Sequence, residues 1–130
     1  MSESQPIRVL VAGQDNALRA ELCRLMGYDS RIEVIAQADS SQEAIALALA
    51  HHPDLVLMDL IIHGTNGLAA TRELKRQRPT IPVILLTILS EHEYLSVARI
   101  SGVDRCLDKR EIGHKLLPLI ESLITPAPHH

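Results

Sequence analysis

Four short runs of apolar, mostly β-branched residues recur along the chain: IRVLVA at 7–12, IEVIAQA at 32–38, DLVLMD at 54–59 and IPVILLT at 81–87. They are nearly continuous rather than alternating, which is how strands read when both faces of a parallel sheet are covered. VDRCLD at 103–108 is a weaker fifth run. Between them the apolar residues take helical spacing, as in Leu18, Leu22, Leu25 and Met26, or Ile112, Leu116, Leu119, Ile120 and Leu123. The pattern is βα repeated five times, and right-handed crossovers turn it into a doubly wound parallel sheet.

Local punctuation agrees with this reading. Ser40 with Glu43 and Ser90 with Glu93 have the spacing of capping boxes, and Gly27 and Gly102 fall where helices end. Pro53, Pro79 and Pro82 stand at or before strand starts. No internal linker divides the chain, so residues 1–124 are expected to form one domain and 125–130, TPAPHH, an unstructured tail that starts a linker or remains from a tag. At 130 residues and 46% hydrophobic the chain can bury a core of its own. Without Phe or Trp, that core must be Leu, Ile, Val and Ala.

Several function classes are disfavoured. A formal net charge of −3 gives no electrostatic footprint for nucleic acid or an anionic membrane, and with Tyr28 and Tyr94 as the only aromatics there is no base-stacking platform. The longest apolar stretches fall short of the ~20 residues of a membrane span, and the start of the chain has no signal-peptide pattern. Two cysteines, Cys23 and Cys106, are too few for a disulfide framework, so a cytoplasmic protein is expected. Neither sits in a CxxC pair, and Cys23 reads as packing in the first helix. His51 and His52 are adjacent and diverge on a helix, so they read as a helix end rather than metal ligands. No P-loop or G-x-G-x-x-G is present; Gly64 and Gly67 read as a loop and a helix start. The basic run RELKRQR at 72–78 contains Glu73 and reads as a solvated, ion-paired helix face.

Open α/β sheets bind ligands outside the carboxyl ends of their strands. The residues expected there are Gly13, Gln14 and Asp15, then Asp59, Thr87 and Lys109. Asp59 closes an apolar strand, where a carboxylate either caps structure or acts as a nucleophile. Lys109 is a cation able to pair with it or hold a phosphoryl oxygen, or else a surface lysine opening the last helix. Thr87 offers a hydroxyl, although β-propensity alone also places threonine at strand ends.

At these residues the chain resembles the receiver domain of two-component response regulators, particularly the NarL/FixJ (LuxR-type) subfamily. The resemblance runs from Ile7 to about Ile124 and is carried by IRVLVA, PDLVLMDL at 53–60, HGTNGLAATREL at 63–74, IPVILLT followed by EHEY, and the Gly102 to Lys109 segment. It implies a flavodoxin-like (βα)5 fold with strand order 2-1-3-4-5. It makes Asp59 the phosphoacceptor, Thr87 the switch hydroxyl and Lys109 the lysine that contacts the phosphoryl group. It further implies Mg2+ held in part by Asp59 and the backbone carbonyl of Ile61, and a histidine kinase as phosphoryl donor. A homodimer through the fourth helix, fifth strand and fifth helix is implied, with Glu91, His92, Glu93 and Tyr94 on the contact surface. The DNA-binding output lies outside the chain, and no enzymatic activity is implied beyond phosphorylation and dephosphorylation of Asp59.

The chain also departs from that pattern. Gly13 and Gln14 stand where the family has an acidic pair, and Asp15 is one residue too late, where it is expected to cap the first helix with or without Asn16. Magnesium dehydrates reluctantly and needs charge, so its binding is expected to be weak or absent, with Asp59 and Lys109 satisfying each other. Cys106 replaces a common aromatic three residues before the lysine, and His63, expected to be a solvated loop residue, replaces a proline. Two readings follow: a receiver phosphorylated poorly, or a pseudo-receiver that acts as an interaction module. A small flavodoxin-like enzyme is disfavoured because no cofactor loop appears.

Overall fold

The structure is a computed structural model and describes residues 5–88 and 91–124. Five strands alternate with five helices: β1 (Ile7–Ala12), α1 (Asn16–Met26), β2 (Ile32–Ala38), α2 (Ser41–His51), β3 (Leu55–Asp59), α3 (Gly67–Gln77), β4 (Val83–Thr87), α4 (Glu91–Ser101), β5 (Arg105–Asp108) and α5 (Ile112–Ile124), with a 3-10 turn at Lys109–Glu111 before α5. All pairings are parallel and the sheet order is β2-β1-β3-β4-β5. The chain thus has the flavodoxin-like arrangement expected of it.

Period-2 alternation divides the core into two layers. Leu10, Ala12, Val56, Met58, Val83 and Leu85 face α2 and α3, where Ala44, Ala48, Ala70 and Leu74 cover them. Val9, Val11, Leu55, Leu57, Ile84, Leu86 and Leu107 face α1 and α5, under Leu22, Met26, Ile112, Leu116 and Ile120. β3 and β4 are buried along their whole length, which is why their sequences are continuous apolar runs.

Helix ends mostly follow the expected chemistry. Asp15 caps α1, its carboxylate accepting from the amides of Ala17 at 2.9 Å and Leu18 at 3.2 Å. Ser40 caps α2 by accepting from the Glu43 amide at 3.1 Å, while the Glu43 carboxylate takes the amide of Asp39 at 3.0 Å, not that of Ser40 itself. His51 ends α2 and His52 adopts a left-handed conformation, φ 50°, at its C-cap. Gly102 has φ +82° after α4, whereas Gly27 ends α1 in right-handed conformation. Ser90, and with it the second capping box, lies outside the described residues, as does the tail at 125–130.

β3, β4 and β5 begin later than the apolar runs. Asp54 and Asp104 are drawn out of the strands because their carboxylates take backbone amides, Arg8 N–H at 2.9 Å and Val83 N–H at 2.7 Å. Lys75, inside the basic run, is not a solvated charge: its ammonium lies 2.7 Å from the Asp104 carboxylate. Arg76 does pair with Glu73 on the exposed face, at 2.6 Å.

Candidate functional site

The carboxyl edge of the sheet gathers the ends of β1, β3, β4 and β5. Asp59 is the last residue of β3 and is 2% exposed. A carboxylate so placed must be compensated, since a bare buried charge is not tolerated. Two contacts do this, and both fall on Oδ1: the Lys109 ammonium at 2.7 Å and the Ile61 amide, which donates at 2.9 Å.

Lys109 is delivered by the sharp turn after β5. Asp108 caps that turn by accepting from the Arg110 amide at 2.8 Å, and the Arg110 guanidinium beside it holds its carboxyl down at about 2. Asp108 therefore stays turned outward on Arg110, and the next residue projects Lys109 at Asp59. Thr87 ends β4 at 4% exposure, one step past the Asp59–Leu86 pairing and opposite Asp108. Asp59 and Lys109 are in contact, and the register places Thr87 on the same edge.

The loop after β3 is fixed by backbone bonds. Leu60 N–H donates to Leu86 O at 2.9 Å and Gly67 N–H to Leu60 O at 2.8 Å, so the loop returns onto the end of β3. A Cβ at Gly67 would lie 2.3 Å from the Asp59 carbonyl oxygen, so Gly67 is a close-approach residue as well as a helix start. His63 is exposed, and its backbone bonds to Asp39 and Ser41 extend β2's edge. Gly64, at φ +97°, passes against the Ser41 hydroxyl, where a Cβ would approach to 2.7 Å.

The β1 side of the pocket is built differently. Gly13 is buried, and a Cβ on it would lie 2.8 Å from Asp59 Cβ and 3.3 Å from Oδ2. Its amide donates to Ala38 O at 2.9 Å, and its carbonyl accepts from the Arg19 guanidinium. Arg19 also donates to Asn16 and, at 3.2 Å, to Gln37 on β2. The Gln14 amide donates to the Ile61 carbonyl at 3.4 Å, and its side chain is exposed. Neither Arg19 nor the closeness of Gly13 carries a mark in the sequence; Gly67, eight residues past Asp59 at a helix start, could have been weighed as a close approach.

Cys106 is half-buried against the α2/α3 layer, and burial pushes its thiol up to about 12, so it is no nucleophile at neutral pH. Burial also raises the Cys23 thiol. Among the described residues no three Asp, Glu, His or Cys side chains cluster as a metal site. Ile61 and Ile88, beside Asp59 and Thr87 in sequence, are 55% and 58% exposed.

A doubly wound sheet that turns an acid and a lysine toward each other at its carboxyl edge has the arrangement of a signalling receiver. Residues 9–121 match the response regulator receiver domain, and the chain belongs to that family. Its members are signalling modules that interact with histidine kinases, often dimerise and generally take Mg2+ at an acidic pocket.

Among curated relatives, the transcriptional regulatory protein PdtaR of Mycobacterium tuberculosis is 34% identical over 92% of this chain and 58% of its own length. Response regulator GacA of Pseudomonas viridiflava is 38% identical over 68% of this chain and 41% of its own. The chain therefore spans about half the length of such relatives. Among solved structures, a LuxR-family response regulator from Aurantimonas superposes with TM-score 0.85 at 23% identity, covering 92% of this chain and 86% of that one. The response regulator domain of Thermotoga maritima CheB gives 0.82 at 23% identity, covering 95% and 100%. These likenesses establish the fold. Among the described residues no helix is long and apolar enough to cross a membrane.

Proposed function

We propose that the chain is the receiver module of a NarL/FixJ-type response regulator in the cytoplasm, with Asp59 as phosphoacceptor for a histidine kinase and a DNA-binding output as the element it controls. The observation that supports this best is the 2.7 Å Asp59–Lys109 pair at the sheet's carboxyl edge. In the transfer, a carboxylate oxygen of Asp59 forms a bond to phosphorus as the bond from phosphorus to the kinase imidazole breaks, and the leaving nitrogen keeps the electron pair. Such transfers are governed by positioning and charge neutralisation. Lys109 supplies the positive charge and the Ile61 amide fixes the carboxylate. Thr87 is the hydroxyl that turns to the transferred phosphoryl oxygen.

The residues present make a poor Mg2+ site. Among the described residues the one carboxylate in the pocket, Asp59, is already paired with an ammonium, the Ile61 carbonyl accepts the Gln14 amide, and Asp15 is spent on its helix. One carboxylate does not balance both a lysine and a divalent cation, and Mg2+ keeps its water unless charge replaces it. No step of the transfer is therefore assigned to the metal, and Mg2+ binding is weak or absent.

The 2% exposure of Asp59 favours a second reading, a pseudo-receiver that signals by association, with the face of α4, β5 and α5 as its dimer surface. Leu95 on α4 is 55% exposed, whereas the side chains of Glu91 and Tyr94 lie outside the described residues. Intact-protein mass spectrometry after incubation with acetyl phosphate decides between the two. The expected result is a one-phosphoryl adduct on the wild type that is absent from Asp59→Asn. A folded wild type that takes no adduct, from acetyl phosphate or from a phosphorylated histidine kinase, overturns the first reading in favour of the second.

A further inference from the structure

Residues at matched positions of neighbouring parallel strands sit about 4.8 Å apart, and their side chains share a face of the sheet without collision. Gly13 follows the Ala12–Met58 pairing and so comes level with Asp59, yet a Cβ there would lie only 2.8 Å from Asp59 Cβ. The end of β1 leans on the acceptor. Three bonds fix this stretch, of which only the last crosses to the β3 side: Gly13 N–H to Ala38 O, Arg19 to Gly13 O, and Gln14 N–H to Ile61 O. The first two tie Gly13 to β2 and α1, and the third ties the β1 loop to the residue whose amide holds Asp59 Oδ1.

We propose that Gly13 is a positioning residue: its lack of a side chain lets the end of β1 close on Asp59 and keep the carboxylate turned to Lys109, so that the pocket is indifferent to divalent cations by shape as well as by charge. In this chain Gly13 is thus a packing element, and an acid in its place would have to push the end of β1 back from Asp59. An aspartate at this position acts as a wedge before it acts as a ligand. At Gln14, whose side chain is exposed, an aspartate adds the same charge without the wedge. If charge alone governed the pocket, the two positions would respond alike. The inference holds whether or not Asp59 is phosphorylated, and its test is read on the unmodified protein.

The test compares wild type, Gly13→Ala, Gly13→Asp and Gln14→Asp by amide NMR, with and without MgCl2, and by thermal unfolding. In the wild type the Ile61 amide resonance, which reports the bond to Asp59, is expected to stay in place as MgCl2 is added. Gly13→Ala is expected to move that resonance in the absence of metal and to lower Tm by about 5 °C or more. Gln14→Asp is expected to leave both close to wild type. Gly13→Asp, where it folds, behaves as Gly13→Ala and gains no Mg2+-dependent shift. The proposal is overturned if Gly13→Ala keeps the wild-type Ile61 resonance, whatever its Tm. It is equally overturned if Gln14→Asp moves that resonance as far as Gly13→Ala, or if the wild type or a stable Gly13→Asp shifts with Mg2+.

Discussion

The loops that leave β1 and β3 reach the same edge of the same sheet, yet they are built on opposite plans. After β3 a charged side chain is buried and then compensated, by Lys109 and the Ile61 amide. After β1, among the described residues, the pocket receives no charged side chain from this loop: Gly13 and Gln14 contribute backbone, and Asp15 is committed to the start of α1. The β3 half is an electrostatic device, and the half beside it is a packing device. A pocket can therefore lose the side chains that would hold a metal and still be closed and satisfied, provided that backbone takes their place.

The largest expected effect tests how tightly the β3 side is packed. Gly67→Ala would set a Cβ 2.3 Å from the Asp59 carbonyl oxygen, a backbone atom that cannot swing away. We expect a loss of about 3 kcal/mol or more, measured by urea unfolding. A cost below about 1 kcal/mol would mean that the loop relaxes easily and that Asp59 is held by charge alone.

Next comes the ion pair. Lys109→Met leaves Asp59 buried without its counter-ion, and a loss near 3 kcal/mol is expected because a one-sided removal strands the remaining charge. Lys109 is itself 22% exposed, which keeps the value at the low end for buried pairs. Asp59→Asn should cost less, since an amide oxygen can still accept from Ile61. The double variant should recover part of the Lys109 loss, giving a coupling energy above about 0.5 kcal/mol in a double-mutant cycle. Strict additivity would show that the two groups do not sense each other.

Much of this was legible in the sequence, and the reason is physical. β1 at 7–12 and β2 at 32–38 begin and end as their apolar runs do. The carboxylates that take amides there, Asp54 at Arg8, Asp29 at Arg31 and Glu43 at Asp39, act inside β1 or just outside β2 and leave the boundaries where the runs put them. The runs that overreached, at 54, 81 and 103, start on residues engaged elsewhere: the Asp54 and Asp104 carboxylates take the amides of Arg8 and Val83, the Ile81 amide turns back to Arg78 O, and Pro82 has no amide to give. The places of Asp59, Thr87 and Lys109 on the carboxyl edge are legible because residue type and strand end coincide. Asp15 was placed as a cap because its position before a helical pattern has a local mechanism. Arg19 was invisible as a tie to Gly13, since a helix arginine looks the same whether it faces water or a carbonyl. So was the pressure of Gly13 on Asp59, which depends on how two strands distant in sequence approach.

On the β1 side the expected effects are smaller. Asp15→Ala removes the acceptor for the Ala17 and Leu18 amides and should cost about 1 kcal/mol, while Asp15→Ser should restore most of it. Because the acid serves the helix and not the pocket, neither change should alter the Ile61 amide resonance. A shift there on neutralising Asp15 would bring its charge into the pocket and weaken the contrast between the loops.

The smallest effect is the most discriminating for the packing account. On the proposed reading Gln14 stands where an acid would help hold a metal, and its side-chain oxygen would be the neutral substitute. The structure instead exposes that side chain and uses the residue's amide, donated to the Ile61 carbonyl at 3.4 Å. Gln14→Ala keeps the amide and discards the oxygen, so stability should change by no more than about 0.5 kcal/mol. The extent of Asp59 phosphorylation by acetyl phosphate should be unchanged as well. A several-fold drop in that extent at unchanged stability would return the Gln14 side chain to the pocket, and the β1 loop would then have to be counted as part of the chemistry.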